Sequence, residues 1–183
     1  MSKKILVITG SPRKEGNTNS IAKAFIAGAL AAGHEVEVFD AYSAKMDGCH
    51  GDGSCHERGR CGLKDDGQQM FDYMCWADTL VLVSPLYWGG FTSYIKKAID
   101  RFFPFFGEKV RAKCTIKDTV LIATAMSPDM SAFDAMRKEF DVINMVLGFD
   151  KKAELLCPGL GAPDEAGKDE ALLFKAAMLG SNI

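Results

Sequence analysis

Ile5-Leu6-Val7-Ile8-Thr9-Gly10-Ser11-Pro12-Arg13-Lys14-Glu15-Gly16-Asn17-Thr18-Asn19 is the stretch that decides the fold. Four consecutive apolar residues read as a strand buried on both faces. A helical pattern follows, with Ile21, Phe25, Gly28, Ala29 and Ala32 on one face. Between them the chain is small, polar and rich in hydrogen-bonding groups. A strand that ends this way and opens a helix aims the first-turn N–H groups and the positive end of the helix dipole at one point. Ser11, Thr18 and Asn19 add short donors, and Arg13 adds a planar fork that matches phosphate oxygens. Gly10 and Gly16 stand too far apart for G-x-G-x-x-G, and no Lys-Ser or Lys-Thr follows Gly16. The loop therefore suits a terminal phosphomonoester. A plain strand-to-helix turn with Asn17 or Thr18 as N-cap is the other reading of the same residues.

Working outward, three more apolar runs read as buried parallel strands: Thr79–Val83, Thr119–Ala123 and Ala153–Cys157. His34–Phe39 alternates polar and apolar, as an edge strand does. Helices are expected between them, at Asp66–Cys75, around Tyr94, Ile95, Ala98, Ile99 and Phe102, at Met130–Leu147 and at Asp164–Leu179. Strand and helix alternate, which predicts a doubly wound α/β sandwich. With the second strand at an edge, the five-stranded parallel sheet takes the order 2-1-3-4-5 with helices on both faces. Its ligand then belongs at the switch point between strands 1 and 3.

The loop after the third strand must complete such a site. It reads Ser84-Pro85-Leu86-Tyr87-Trp88-Gly89-Gly90-Phe91, ahead of a Thr92 that can cap the next helix. Two adjacent aromatics, a rigid proline and two glycines suit the close approach of a flat ligand. They equally suit a cover for the sheet edge or a subunit contact.

Bulk properties set the remaining bounds. A chain of 183 residues reads as one domain over 1–183 that buries roughly 70% of its unfolded surface. A formal net charge of -2 gives no footprint for nucleic acid or an anionic membrane. No apolar run is long enough to span a bilayer, so the expected location is cytoplasmic. The six cysteines then read as free thiols, metal ligands or redox groups rather than disulfides.

Together the two loops resemble the NADPH-dependent FMN reductase family, nearest to its iron–sulfur flavoprotein branch. The pieces that carry the resemblance are Gly10–Thr18, Ala77-Asp78, Ser84–Gly89 and Lys96-Lys97-Ala98-Ile99-Asp100-Arg101, in the family's order. The resemblance implies a flavodoxin-like three-layer sandwich that binds FMN. Ser11, Arg13, Asn17, Thr18 and Asn19 would hold the phosphate. Pro85, Leu86, Tyr87, Trp88 and Gly89 would hold the ring, with Thr124–Ser127 as a third wall and Ser127 facing the ligand. It further implies NAD(P)H as hydride donor and a small-molecule electron acceptor: a quinone, free flavin or metal centre. No catalytic side chain is required beyond positioning. A homodimer or homotetramer is expected, and Phe102–Phe106 is too apolar for an exposed turn, so it covers the flavin or another subunit. A flavodoxin-type electron carrier is the rival reading, disfavoured by the near-neutral charge. Met126, Met130, Met136 and Met145 read as core filler.

Residues 46–66 form a Cys-rich insertion. Cys49, Cys55 and Cys61 are evenly spaced, five residues intervening each time, with His50 and His56 beside two of them. The iron–sulfur flavoproteins carry a compact four-cysteine cluster motif at this place. The resemblance thus implies Cys49, Cys55 and Cys61 as metal or cluster ligands, with Cys75 as a fourth. The residues themselves leave three readings open: an iron–sulfur cluster, a zinc site of mixed Cys and His, or a loop of free thiols that acts as a lid, subunit contact or sensor.

Overall fold

Five strands pair in parallel in the order β2-β1-β3-β4-β5 in the computed structural model, which describes residues 1–183. They are β1 (Lys4–Thr9), β2 (Glu35–Asp40), β3 (Thr79–Pro85), β4 (Asp118–Thr124) and β5 (Asp150–Cys157). The expected sheet order is therefore observed. β1, β3 and β4 are buried almost throughout, whereas β2 is largely open, as its polar alternation requires. β5 starts three residues before the apolar run. Asp150, Lys151 and Lys152 are exposed on this edge, and a bulge at Thr119/Val120 shifts the register there. Polar edge residues do not look like strand in a sequence, because only one side of an edge strand is buried.

The period of two along each strand divides the core into two halves. Leu6, Ile8, Leu80, Leu82, Leu121 and Ala123 face one side and meet α3 (Gly67–Trp76), α4 (Ser93–Asp100) and α6 (Asp134–Leu147). Ile5, Val7, Val81, Val83, Val120 and Ile122 face the other and meet α1 (Asn17–Ala31), α7 (Glu165–Lys168) and α8 (Glu170–Ser181). This is a flavodoxin-like three-layer sandwich. α1 and α8 cross very closely. A Cβ at Gly28 would lie 2.0 Å from the Ala177 carbonyl oxygen, and one at Gly180 would lie 2.1 Å from that of Phe25.

Two helix expectations are refined. Met130–Phe133 is a 3-10 turn that leads into α6, and Asp169 divides α7 from α8 by capping the Leu172 N–H at 3.0 Å. Phe103–Phe106 forms a 3-10 turn before the one-turn α5 (Glu108–Arg111). Phe102 and Phe105 enter the core, while Phe103 and Phe106 stay exposed. Of the four methionines read as core filler, only Met136 is buried. No helix is long and apolar enough to cross a membrane.

Candidate functional site

β1 and β3 run into helices on opposite faces of the sheet, so a crevice opens where they part. Its floor is tied by Thr92, the side-chain cap of α4. The Thr92 hydroxyl donates to the Gly10 carbonyl at 2.9 Å and accepts from the Ile95 N–H, while the Thr92 N–H donates to the Ser84 hydroxyl at 3.2 Å. Gly10 is required here: a Cβ would lie 2.2 Å from Ile95 Cγ1.

The crevice encloses about 270 Å³. Its first wall is the β1–α1 loop, through Ser11, Arg13, Gly16, Asn17 and Thr18. The second is Pro85, Leu86 and Tyr87, and the third is Thr124, Ala125 and Met126. Leu160 and Gly161, from the loop after β5, supply a fourth wall that sequence reasoning missed. The glycines and prolines of Pro158–Pro163 were the available signal, since every β-to-α loop of such a sheet reaches the same edge.

The start of α1 lacks a cap. Gly16 is the N-cap, no side chain bonds to the first turn, and no acidic residue lies there. The N–H groups of that turn thus face the crevice without a partner, beside an exposed Arg13. Thr18 and Thr124 share one hydrogen bond of 2.6 Å between buried hydroxyls. Two hydroxyls joined by a single bond leave one proton to donate elsewhere. An anion with several oxygens fits this donor set, and no carboxylate lines the crevice to hold a cation.

Seven of the expected cofactor residues line the crevice: Ser11, Arg13, Asn17, Thr18, Pro85, Leu86 and Tyr87. Four do not. Asn19 lies behind the loop, where its amide donates to the Arg13 and Lys14 carbonyls. The Ser127 hydroxyl accepts from the Asp129 N–H and serves the turn after β4. Trp88 and Gly89 are the central residues of a tight turn closed by mutual Tyr87–Gly90 backbone bonds. Their φ angles are 51° and 81°. The Trp88 ring stands fully in solvent, outside the walls. Positive φ is costly for a bulky residue, and such strain concentrates where a site needs it. Asn17 also does more than expected. Its amide donates to the Ala162 carbonyl at 2.8 Å and its oxygen accepts from the Ala166 N–H at 3.0 Å, so it pins the fourth wall.

The Cys-rich insertion forms a second cleft, of about 490 Å³, at the other end of α4. Its two ends are clamped together by the Asp66 N–H donating to the Lys45 carbonyl, by the Lys45 N–H donating to the Asp66 carboxylate, and by Arg101. The Arg101 guanidinium pairs with both Asp65 oxygens at 2.9 and 3.0 Å and donates to the Asp47 carbonyl. Burial opposes the Asp65 charge, but Arg101 and the Asp47 and Gly67 N–H groups more than offset it and lower its pKa. Cys49, Cys55 and Cys61 all line this cleft. Even so, no three His, Cys, Asp or Glu side chains converge as a metal site requires. Cys75 sits in α3, where burial and the neighbouring Cys114 push its thiol up. A cubane cluster needs four converging thiolates. Cys49, Cys55 and Cys61 share the cleft without standing in that arrangement, and Cys75 lies apart from it in α3. Cys114 and Cys157 are buried thiols, the latter pushed up to about 11 by desolvation.

The family model described as NADPH-dependent FMN reductase matches residues 3–149. The chain is 27% identical over 185 residues to an iron–sulfur flavoprotein of Methanocaldococcus jannaschii, covering 98% of this chain and 95% of that one. It is 29% identical over 182 residues to an iron–sulfur flavoprotein of Archaeoglobus fulgidus, covering 98% and 78%. Among solved structures, an NAD(P)H:quinone oxidoreductase from Methanothermobacter marburgensis shares the fold with a TM-score of 0.80. Its identity is 19%, over 100% of this chain and 96% of that one.

Proposed function

The chain belongs to the NADPH-dependent FMN reductase family, and on that premise we propose that it moves electrons from NAD(P)H to a small acceptor through FMN held in the crevice. FMN-dependent oxidoreduction follows from the family; the donor, the acceptor and the residue roles are our reading. The observation that carries it is the uncapped start of α1 facing Pro85–Tyr87 across one crevice.

Bound FMN supplies a two-electron redox centre. The first-turn N–H groups of α1, the Ser11 and Thr18 hydroxyls and Arg13 would hold its phosphate by charge-assisted bonds. Asn17 and Asn19 would keep that cradle in shape rather than touch the ligand. Pro85, Leu86 and Tyr87 would position the ring edge, with Met126 and Leu160 excluding water from the opposite side. The Trp88 indole, already in solvent, is placed to cover an acceptor or nicotinamide stacked on the ring. The exposed apolar face of Phe103, Phe106, Val142 and Val146 supports a homodimer or homotetramer, which light scattering would test by mass.

The reaction is tested by adding NADPH, then NADH, to the flavin-loaded protein without air, followed by a quinone. Loss and return of the flavin absorbance is the expected result. A flavin that neither nucleotide bleaches until a separate reductase is added would instead mark an electron carrier.

A further inference from the structure

Glu139 takes no part in the crevice, yet it lies under the turn that borders it. Ala135 and Glu139 stand one helical turn apart on the same face of α6. A Cβ at Gly89 would lie 3.9 Å from Ala135 Cβ, and one at Gly90 would lie 3.7 Å from Glu139 Oε2. The Tyr87–Gly90 turn therefore rests on this face of α6, with the Glu139 carboxyl close beneath Gly90. Two backbone bonds close the turn. The Tyr87 N–H donates to the Gly90 carbonyl at 3.0 Å, and the Gly90 N–H donates to the Tyr87 carbonyl at 3.1 Å. Trp88 holds a positive φ within it, a conformation that persists only where the surroundings impose it. What the turn sits on thus matters to where Trp88 stands.

The seat carries a carboxyl that nothing satisfies. Glu139 is half-buried and makes neither a hydrogen bond nor an ion pair. Lys96 of α4 faces it but is paired with Asp100. Asp100 is the other charge that faces it from α4. The turn brings no ionised group, and neither do Ala135, Met136, Val142 and Ile143, the neighbours of Glu139 along its own helix face. Burial pushes the Glu139 carboxyl up, Lys96 opposes the rise and Asp100 adds to it. A half-buried carboxylate without a partner gains free energy by reaching water. Here the Trp88 turn stands in its way.

We propose that Glu139 is the positioning residue of the Trp88 turn: when neutral it lets the turn close down on α6, and when ionised it lifts the turn to reach water. Ionisation is opposed only while the turn is seated, so the seated carboxyl titrates above its ordinary value of about 4.3. The seat is therefore complete below that value and weakens as pH rises through the raised folded pKa. By reciprocity, lifting the turn returns Glu139 toward its ordinary pKa. No flavin enters this coupling. Its effect on the reaction rests on the reading of Trp88 as the cover of a stacked acceptor: a lifted turn leaves the acceptor less well held, which raises its KM.

Amide hydrogen exchange at Tyr87 and Gly90, whose N–H groups close the turn, tests the seat in the protein with FMN and without it. Protection, corrected for the intrinsic exchange rate, should fall in the wild type as pH rises from about 4 to about 7, across the range of a raised carboxyl. Glu139→Gln keeps the shape without the charge and should stay protected throughout. Lys96→Met removes the opposing cation and should move the loss of protection to higher pH. The KM for a quinone should rise over the same range in the wild type and stay level in Glu139→Gln. The proposal is overturned by protection that falls alike in the wild type and Glu139→Gln, by protection that ignores pH in both, or by a shift to lower pH in Lys96→Met. Protection that titrates with Glu139 while KM stays level upholds the seat and refutes the reading of Trp88 as a cover.

Discussion

Trp88 offers a test in which stability and activity should move in opposite directions. Its φ of 51° places a bulky residue in the left-handed region, while its ring makes no buried contact. That conformation costs a side chain about 1–2 kcal/mol. Replacing Trp88 with Gly removes the cost but frees the unfolded chain, which takes back about 0.4–1 kcal/mol. The net gain ranges from about 0 to 1.6 kcal/mol, centred on ~0.8 kcal/mol, or about 2–3 °C in Tm at this chain length. Trp88→Ala keeps its Cβ and hence the strain, so its Tm should not rise. Both variants lose the ring. If the indole covers a stacked acceptor, an aromatic contact of about 0.5–1.5 kcal/mol vanishes, lowering kcat/KM for a quinone about 2- to 13-fold. Calorimetry of both variants and steady-state rates decide the matter. Equal Tm changes for Gly and Ala would deny the strain. Unchanged kcat/KM in both would show the ring to be idle.

Other perturbations reach other parts of the account. Arg13→Ala should weaken FMN binding by about 1.5–3 kcal/mol, the worth of a charge-assisted hydrogen bond, as read by calorimetric titration; unaltered affinity would place Arg13 off the phosphate. Asp65→Asn should destabilise by about 3–5 kcal/mol, because it strands the Arg101 charge, whose side chain is 1% exposed, and thermal melts would show it. The folded-state pKa of Asp65 is depressed, so its contribution is complete above its ordinary value of about 3.9 and is lost as pH falls through the folded value. Acid titration monitored by thiol accessibility should therefore release the Cys-rich insertion in the wild type; in Asp65→Asn that acid-dependent step should be missing. Gly28→Ala drives a Cβ into the Ala177 carbonyl and should cost about 1–3 kcal/mol by overpacking, read as a lowered Tm in a thermal melt.

Much of this architecture is visible in the linear chain, for reasons that are local. Ile5–Ile8, Thr79–Val83 and Thr119–Ala123 are apolar without interruption because both faces of the sheet are covered, and Thr92 caps α4 through its own side chain. What was not legible depends on distant partners. Asn17 reads as an N-cap or phosphate ligand, but its amide is claimed by Ala162 and Ala166, far along the chain. Leu160 and Gly161 gain their role only when β5 brings them to the crevice. Met126 is apolar yet exposed, since it borders the crevice rather than the core. The even Cys spacing brings all three thiols to one cleft, beside the α2 turn (Cys55–Arg58) ended by a left-handed Gly59 that the spacing alone does not reveal.

The account turns on one crevice gripping a phosphate at the start of α1 and a flat ring at Pro85–Tyr87. Titrating the flavin-free protein with FMN and with riboflavin, followed by flavin fluorescence, tests this most directly. FMN should bind at least about tenfold more tightly, as even one charge-assisted bond of about 1.5 kcal/mol requires. Equal affinity for the two flavins, or none for either, would contradict it.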